Sequence, residues 1–247
     1  MGAVAVRATR PAAAALAPVL VVQGAGVRRR TPVLPEAAGP RSGAVPGDGP
    51  PLTVAVVGES PAAGVGVTTQ DDALAARFAA ALAGRCGRAV HWRLSARTGT
   101  TAQRATDRLV PGLAGPPADV VLVQLGVNDT LRLRARAAWR RDVTALLDAL
   151  APLVAPDGVV VLAGLPDLAA FPTLPQPLRG VLGRHARVLD RELDALAAAR
   201  PGVRHAPTPP LSGREHFAGD GFHPNAAAVR EWAADLAGVG LSGRPAR

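Results

Sequence analysis

The 247-residue chain predicts a doubly wound, flavodoxin-like three-layer α/β sandwich, with a central, mostly parallel, five-stranded sheet and helices on both faces. Three observations lead there. Five short apolar runs alternate with longer helical stretches from Leu52 onward. The runs are continuously apolar, as strands are when both faces are covered, and a buried parallel sheet requires that pattern. One cysteine, Cys86, precludes an internal disulfide, so the fold must stand on a core, and this length supplies one domain or one domain with an appendage.

The strand runs are residues 52–57, 89–94, 120–125, 159–163 and 203–206. Each is long enough for a buried strand and too short for a helix by itself. Between and after them, residues 71–82, 101–109, 135–153, 177–199 and 225–236 read as helices. Right-handed crossovers between parallel strands wind this order into a sheet covered on both sides. Ligands then bind at the carboxyl ends of the strands. The segment after each run is therefore where function is sought.

The first 51 residues differ. Residues 11–22 form a twelve-residue apolar run interrupted by prolines, with Arg7 and Arg10 before it and Arg28, Arg29 and Arg30 after it. The run is about half a membrane span. Three readings stay open: a cleaved export signal, a short helix lying on an anionic membrane surface, or a helix packed on the domain or a frayed arm. The basic cluster behind the run argues against export and favours a cytoplasmic or peripheral membrane location. Residues 31–51 are rich in proline and glycine and read as a linker. The expected organisation is an N-terminal segment (1–30), a linker (31–51), a domain (52–240) and a tail (241–247).

All 28 basic residues are Arg, and the chain has no Lys. It cannot form a lysine Schiff base or carry a P-loop ending in GK[ST]. The net charge of +9 invites a nucleic-acid reading until it is located. Residues 1–47 hold six Arg against one acid, Glu36, while the other 200 residues carry 22 Arg against 18 acids. Seven scattered aromatics make no base-stacking platform. Nucleic acid is not an expected partner.

Four strand ends hold the chemistry. After the first run comes Gly58–Glu59–Ser60, a serine at the sheet edge or ordinary turn residues. The GxSxG elbow is absent, because Ala62 stands where its last glycine belongs. After the second run, Gly99 precedes Thr100 and Thr101, exposing amides at a helix start or serving as a plain cap. After the third comes Asn128, one of two asparagines in the chain. Its amide can donate to an oxyanion or close an Asx turn. Before the last helix, Asp220 and His223 lie three apart in a glycine-containing turn, so the carboxylate can orient the imidazole. A metal pair of His223 with His216 is the weaker alternative, since no Cys/His spacing supports it.

Each signal is modest alone, and their order is not. Ser60, Gly99, Asn128 and His223, spread over residues 52–238, resemble the SGNH hydrolases, the GDSL-type esterases and lipases. The resemblance implies Ser60 as nucleophile, His223 as general base and Asp220 as its partner. It also implies an oxyanion hole of the Ser60 and Gly99 amides and the Asn128 side chain. The first block departs from the family pattern: GESP stands where GDSL is usual, with a longer acid and Pro61 for leucine. GESPAAGVGV and the loop FPTLPQPLR are similar to a lysophospholipase-like branch.

The implied reaction is ester hydrolysis through an acyl-enzyme, needing no metal or organic cofactor. Short-chain or lysophospholipid-like esters are the expected substrates. Carbohydrate O-acetyl esters, or acyl transfer, are the alternative on the same scaffold, and a silent partner- or membrane-binding domain is the rival from another class. Phe171, Leu174 and Leu178 are expected to line the acyl pocket unless they pack on the sheet. Residues 1–30 are the candidate for peripheral membrane contact.

Overall fold

The computed structural model describes residues 9–209 and 213–242. Arg7 and most of the 241–247 tail lie outside them. Six strands form one sheet: β1 (Ser42–Val45), β2 (Leu52–Gly58), β3 (Val90–Ala96), β4 (Ala118–Gln124), β5 (Val154–Ala163) and β6 (Val203–Ala206), in the order β1-β3-β2-β4-β5-β6. Every neighbouring pair is parallel except β1 with β3.

The expected five-stranded sheet is thus corrected to six. The extra strand, SGAV, sits within the proline- and glycine-rich segment read as a linker. It forms because the exposed flank of β3 offers a free row of backbone donors and acceptors, which Ser42–Val45 pairs antiparallel. Arg41 anchors its start by donating to the Ala96 carbonyl.

The strand side chains alternate between two cores. Val54, Val56, Val120, Leu122 and Val161 face one way. There α3 (Leu74–Cys86) and α8 (Ala226–Leu241) cover them. On α3, Leu74, Phe78 and Leu82 repeat at helical spacing and are fully buried, which is the stripe a sheet-covering helix needs. Ala55, Val57, Val121, Val123 and Leu162 face the other way. They lie under α4 (Ala102–Arg108), α6 (Arg136–Leu150) and α7 (Leu178–Ala198). Trp139 of α6 is fully buried there, and its indole N–H donates to the Leu189 carbonyl at 3.1 Å, so the large ring enters the core without an orphaned donor.

Residues 9–30 form α1 (Thr9–Ala15) and α2 (Ala17–Arg30), and both lie against α7. Ala13 and Leu20 are buried in the same core as α7. Among the described residues no helix is long and apolar enough to cross a membrane.

The sheet order also sets the site. Moving outward from β2, the chain goes to β3 on one side and to β4 on the other. The connections after β2 and β4 therefore leave in opposite directions, and a crevice opens between them. Gly58 and Gln124, the last residues of the two strands, are in register.

Candidate active site

Ser60 leaves the sheet at this crevice. The Glu59 amide still bonds across to the Gln124 carbonyl at 3.0 Å, and then the chain turns: Ala63 N–H donates to the Glu59 carbonyl and Val65 N–H to that of Ser60. The turn packs so tightly that a Cβ on Gly58 would lie 2.4 Å from the Ala62 methyl. Glycine at 58 and a small residue at 62 are thus conditions for placing the serine.

His223 reaches it from the other end of the chain. Its Nε2 stands 2.9 Å from Ser60 Oγ, and its Nδ1 stands 2.6 Å from Asp220 Oδ2. The other oxygen of Asp220 accepts the backbone N–H groups of Phe222 and His223. Burial pushes the Asp220 carboxyl upward, but the His223 ring and these two amides outweigh it and hold the group below its usual range. An ionised acceptor at Nδ1 fixes the proton there, leaving the Nε2 lone pair toward the serine. The turn is pinned by Asn225, which caps α8 through the amides of Ala227 and Ala228 and donates its own N–H to the Glu215 carbonyl.

Asn128 lies in the first turn of the short helix α5 (Val127–Leu131). Glu59 governs its position. The carboxylate is fully buried and accepts the Val127 amide at 2.8 Å, the Asn128 amide at 3.1 Å and one N–H of the Asn128 side chain. The second side-chain N–H has no protein acceptor among the described residues. Burial raises the Glu59 carboxyl to about 7, even though three donors favour the anion. The neighbouring Asp129 is buried and accepts the Ala102 amide at the start of α4. Burial also raises its carboxyl, to about 6.

Gly99 sits in the turn after β3 with φ +78°, which a residue with a Cβ adopts only under strain. That turn is held to the first block by the Arg97 amide on the Gly58 carbonyl. It is held from outside by Glu36, whose carboxylate accepts the Thr98 amide at 2.7 Å. Among the described residues, the N–H groups of Ser60 and Gly99 donate to no protein acceptor.

The structure thus joins Ser60, His223 and Asp220 in one hydrogen-bonded chain. It ties Asn128 and Gly99 to the residues flanking Ser60. The three expected pocket residues separate. Leu174 and Leu178 line a groove of about 690 Å³ that ends at His223. Phe171 instead borders a small cavity of about 30 Å³ behind Ser60 and His223, packed edge-on against Phe217 and Phe222 at 5.1 and 5.2 Å. Sequence reasoning missed the parts played by Glu59 and Asp129. The available signal was an acid just past the end of each of two apolar runs, where a charge needs a purpose.

The model of the GDSL-like lipase/acylhydrolase family matches residues 56–230, well over half the chain. The chain belongs to that family. It is 28% identical over 182 residues to the GDSL-like esterase Rv1075c of Mycobacterium tuberculosis, a match that takes in 71% of this chain and 57% of that protein. The chain therefore spans little more than half of that relative's length. Among solved structures, the fold is similar to the lipase Lip_vut3 from a goat rumen metagenome, with a TM-score of 0.60 and 19% identity over 76% of this chain and 98% of that one. It is likewise similar to TesA, with a TM-score of 0.59 and 23% identity over 77% and 98%.

Proposed function

We propose that the protein hydrolyses carboxylic esters of short-chain or lipid-like acids through an acyl-enzyme on Ser60. One observation carries the reading: the unbroken chain from Asp220 through His223 to Ser60, with both ring nitrogens engaged at 2.6 and 2.9 Å.

In this reading His223 Nε2 takes the Ser60 proton as Oγ attacks the ester carbonyl. The negative charge that moves onto the carbonyl oxygen is met by the Ser60 and Gly99 amides and the free N–H of Asn128. Donors fixed ahead of the reaction would leave little reorganisation to oppose the step. When the C–O bond breaks, His223 returns the proton to the leaving alcohol. Water then gives a proton to His223, attacks the acyl carbon and releases the acid, and the proton goes back to Ser60. Asp220 keeps the imidazole in the required tautomer and stabilises the imidazolium formed in each half-reaction.

The test is labelling with a fluorophosphonate, read by mass spectrometry, together with hydrolysis of p-nitrophenyl butyrate. Ser60 is expected to carry the label, and Ser60→Ala to lose about 10⁴-fold or more of the turnover, as loss of a serine nucleophile does elsewhere. Equal hydrolysis by both proteins would remove Ser60 from the mechanism.

A further inference from the structure

The apolar residues left in water are not scattered. Among the described residues, the large exposed ones are Leu16, Val19, Val21, Val22, Val33 and Leu131. Five of the six belong to α2 and its flanks. Val21, Val33 and Leu131 border the groove of about 690 Å³. Exposed apolar residues lining a groove are a signal of a binding site, and the volume lies within the range of about 300–1,000 Å³ usual for ligand pockets.

The groove has two walls. The inner one is α7 and the segment before it, through Leu174, Leu178 and Leu182; the outer one is α2, through Ala17, Val21 and Gly24. Positions 17, 21, 24 and 28 recur at helical spacing, so a single stripe of α2 faces inward. At one end stands His223, with Thr98 beside Gly99, and Leu131 three residues beyond Asn128. Of the lining residues only Arg28, Asp220 and His223 are titratable, and Asp220 is already committed to His223. A hydrocarbon chain is the ligand such a lining takes.

The outer wall is also tied down. Gln23 uses both ends of its amide on the segment that leads into α7, donating to the Gln176 carbonyl at 2.6 Å and accepting the Leu178 amide at 3.1 Å. Beyond α2, the Ala37 and Ala38 amides bond to the Ala63 and Thr68 carbonyls, and Glu36 holds Thr98. A helix merely resting on the surface would need none of these.

We propose that α2 is the outer wall of the acyl-chain site, and that it sets the length of chain the enzyme accepts. This rests on the esterase reading and sharpens its substrate to esters of medium or long fatty acids. The wall lies outside residues 56–230, where the family model matches. The acyl side of the ester is assigned as part of the proposal: Thr98 and Leu131, from the segments that carry Gly99 and Asn128, line the groove, which would set the acyl chain beside the proposed oxyanion donors.

Gly24 supplies the test. A Cβ added there meets nothing within 4 Å, so Gly24→Leu projects into open groove while raising helix propensity. The measurement is kcat/KM on p-nitrophenyl octanoate divided by that on the acetate. The wild-type ratio is expected to be at least about tenfold, a fraction of the roughly fourfold per methylene that full burial would give. Gly24→Leu is expected to lower that ratio about tenfold, and deletion of residues 1–30 to lower it further. An unchanged ratio in a Gly24→Leu protein that melts like wild type and still labels at Ser60 overturns the wall and leaves the esterase reading standing. A selective loss on octyl acetate rather than octanoate esters overturns the acyl assignment. Absence of labelling and of hydrolysis in the wild-type protein removes the esterase reading and the wall together.

Discussion

The two sides of the cleft are built on opposite principles. At the sheet edge, Glu59, Asn128, Asp129 and Ala102 form a buried polar knot in which the carboxylates are met by backbone or side-chain donors. Across the groove, α2 presents valines, alanines and glycine, tied to α7 by one glutamine. Buried hydrogen bonds in a medium of low dielectric are strong and leave few alternatives. They suit groups that must not move. An apolar wall has no directional demand, and its residues can change with little effect on the chemistry beside them. The difference teaches where this molecule can diverge: in what it accepts, not in how it reacts.

The knot can be broken from its outer member inward. Asn128→Ala is expected to lower kcat by about 10²–10³-fold, the usual cost of one oxyanion donor, with little change in KM for p-nitrophenyl acetate. A KM effect of that size with kcat intact would mean that Asn128 binds the ground state instead.

Glu59→Gln is the next in size, about tenfold in kcat, since an amide cannot accept from all three donors. It also has a signature that a packing defect lacks. The carboxyl is raised from 4.5 to about 7, so the folded state holds its proton over a range where the unfolded chain has lost it. Stability from this group therefore falls as pH rises from about 4.5 toward 7. The clamp on Asn128 has the opposite sign, because the anion is the form that accepts all three bonds. Below about 7 the wild-type protein becomes glutamine-like at this position, and the ratio of wild-type to variant kcat is expected to approach one. A ratio independent of pH would take Glu59 out of the positioning role. In thermal melts, the variant should lose the corresponding slope of stability against pH.

The wall gives the smallest effect. Gln23→Ala removes two hydrogen bonds at a partly exposed site, a cost of about 1–2 kcal/mol in the docking of α2. Hydrogen exchange should speed up in α2 and not in the sheet. Uniform acceleration throughout the protein would show that α2 belongs to the cooperative core.

Much of this arrangement was legible because strand ends are where a parallel sheet must place its ligands. The five runs from Leu52 onward carried the alternation, and Ser60, Asn128 and His223 stood out in an order that little else shares. Ser42–Val45 was not legible. A four-residue edge strand of serine, glycine, alanine and valine has neither an apolar run nor a period, and only the open side of β3 gives it a reason to extend. The 11–22 run showed a similar limit. Composition established that it was apolar, but whether it formed a helix, and whether it met a lipid, a signal receptor or α7, depended on tertiary partners. Glu59 was visible as a longer acid beside the serine, yet its reach to Val127 and Asn128 exists only once β2 and β4 are adjacent.

The contact between His223 and Ser60 spans 163 positions of sequence, while His223 and Asp220 share one turn. In the proposed mechanism the acid–base pair can therefore form locally, but the serine gains its base only when the turn before α8 reaches the end of β2. Until then Ser60 is an ordinary alcohol. In the proposed reaction the nucleophile is synthesised 163 positions ahead of its base, so reactivity is withheld until the segment carrying His223 exists. A covalent probe for Ser60 is thus also a reporter of the long-range closure that brings His223 to the end of β2.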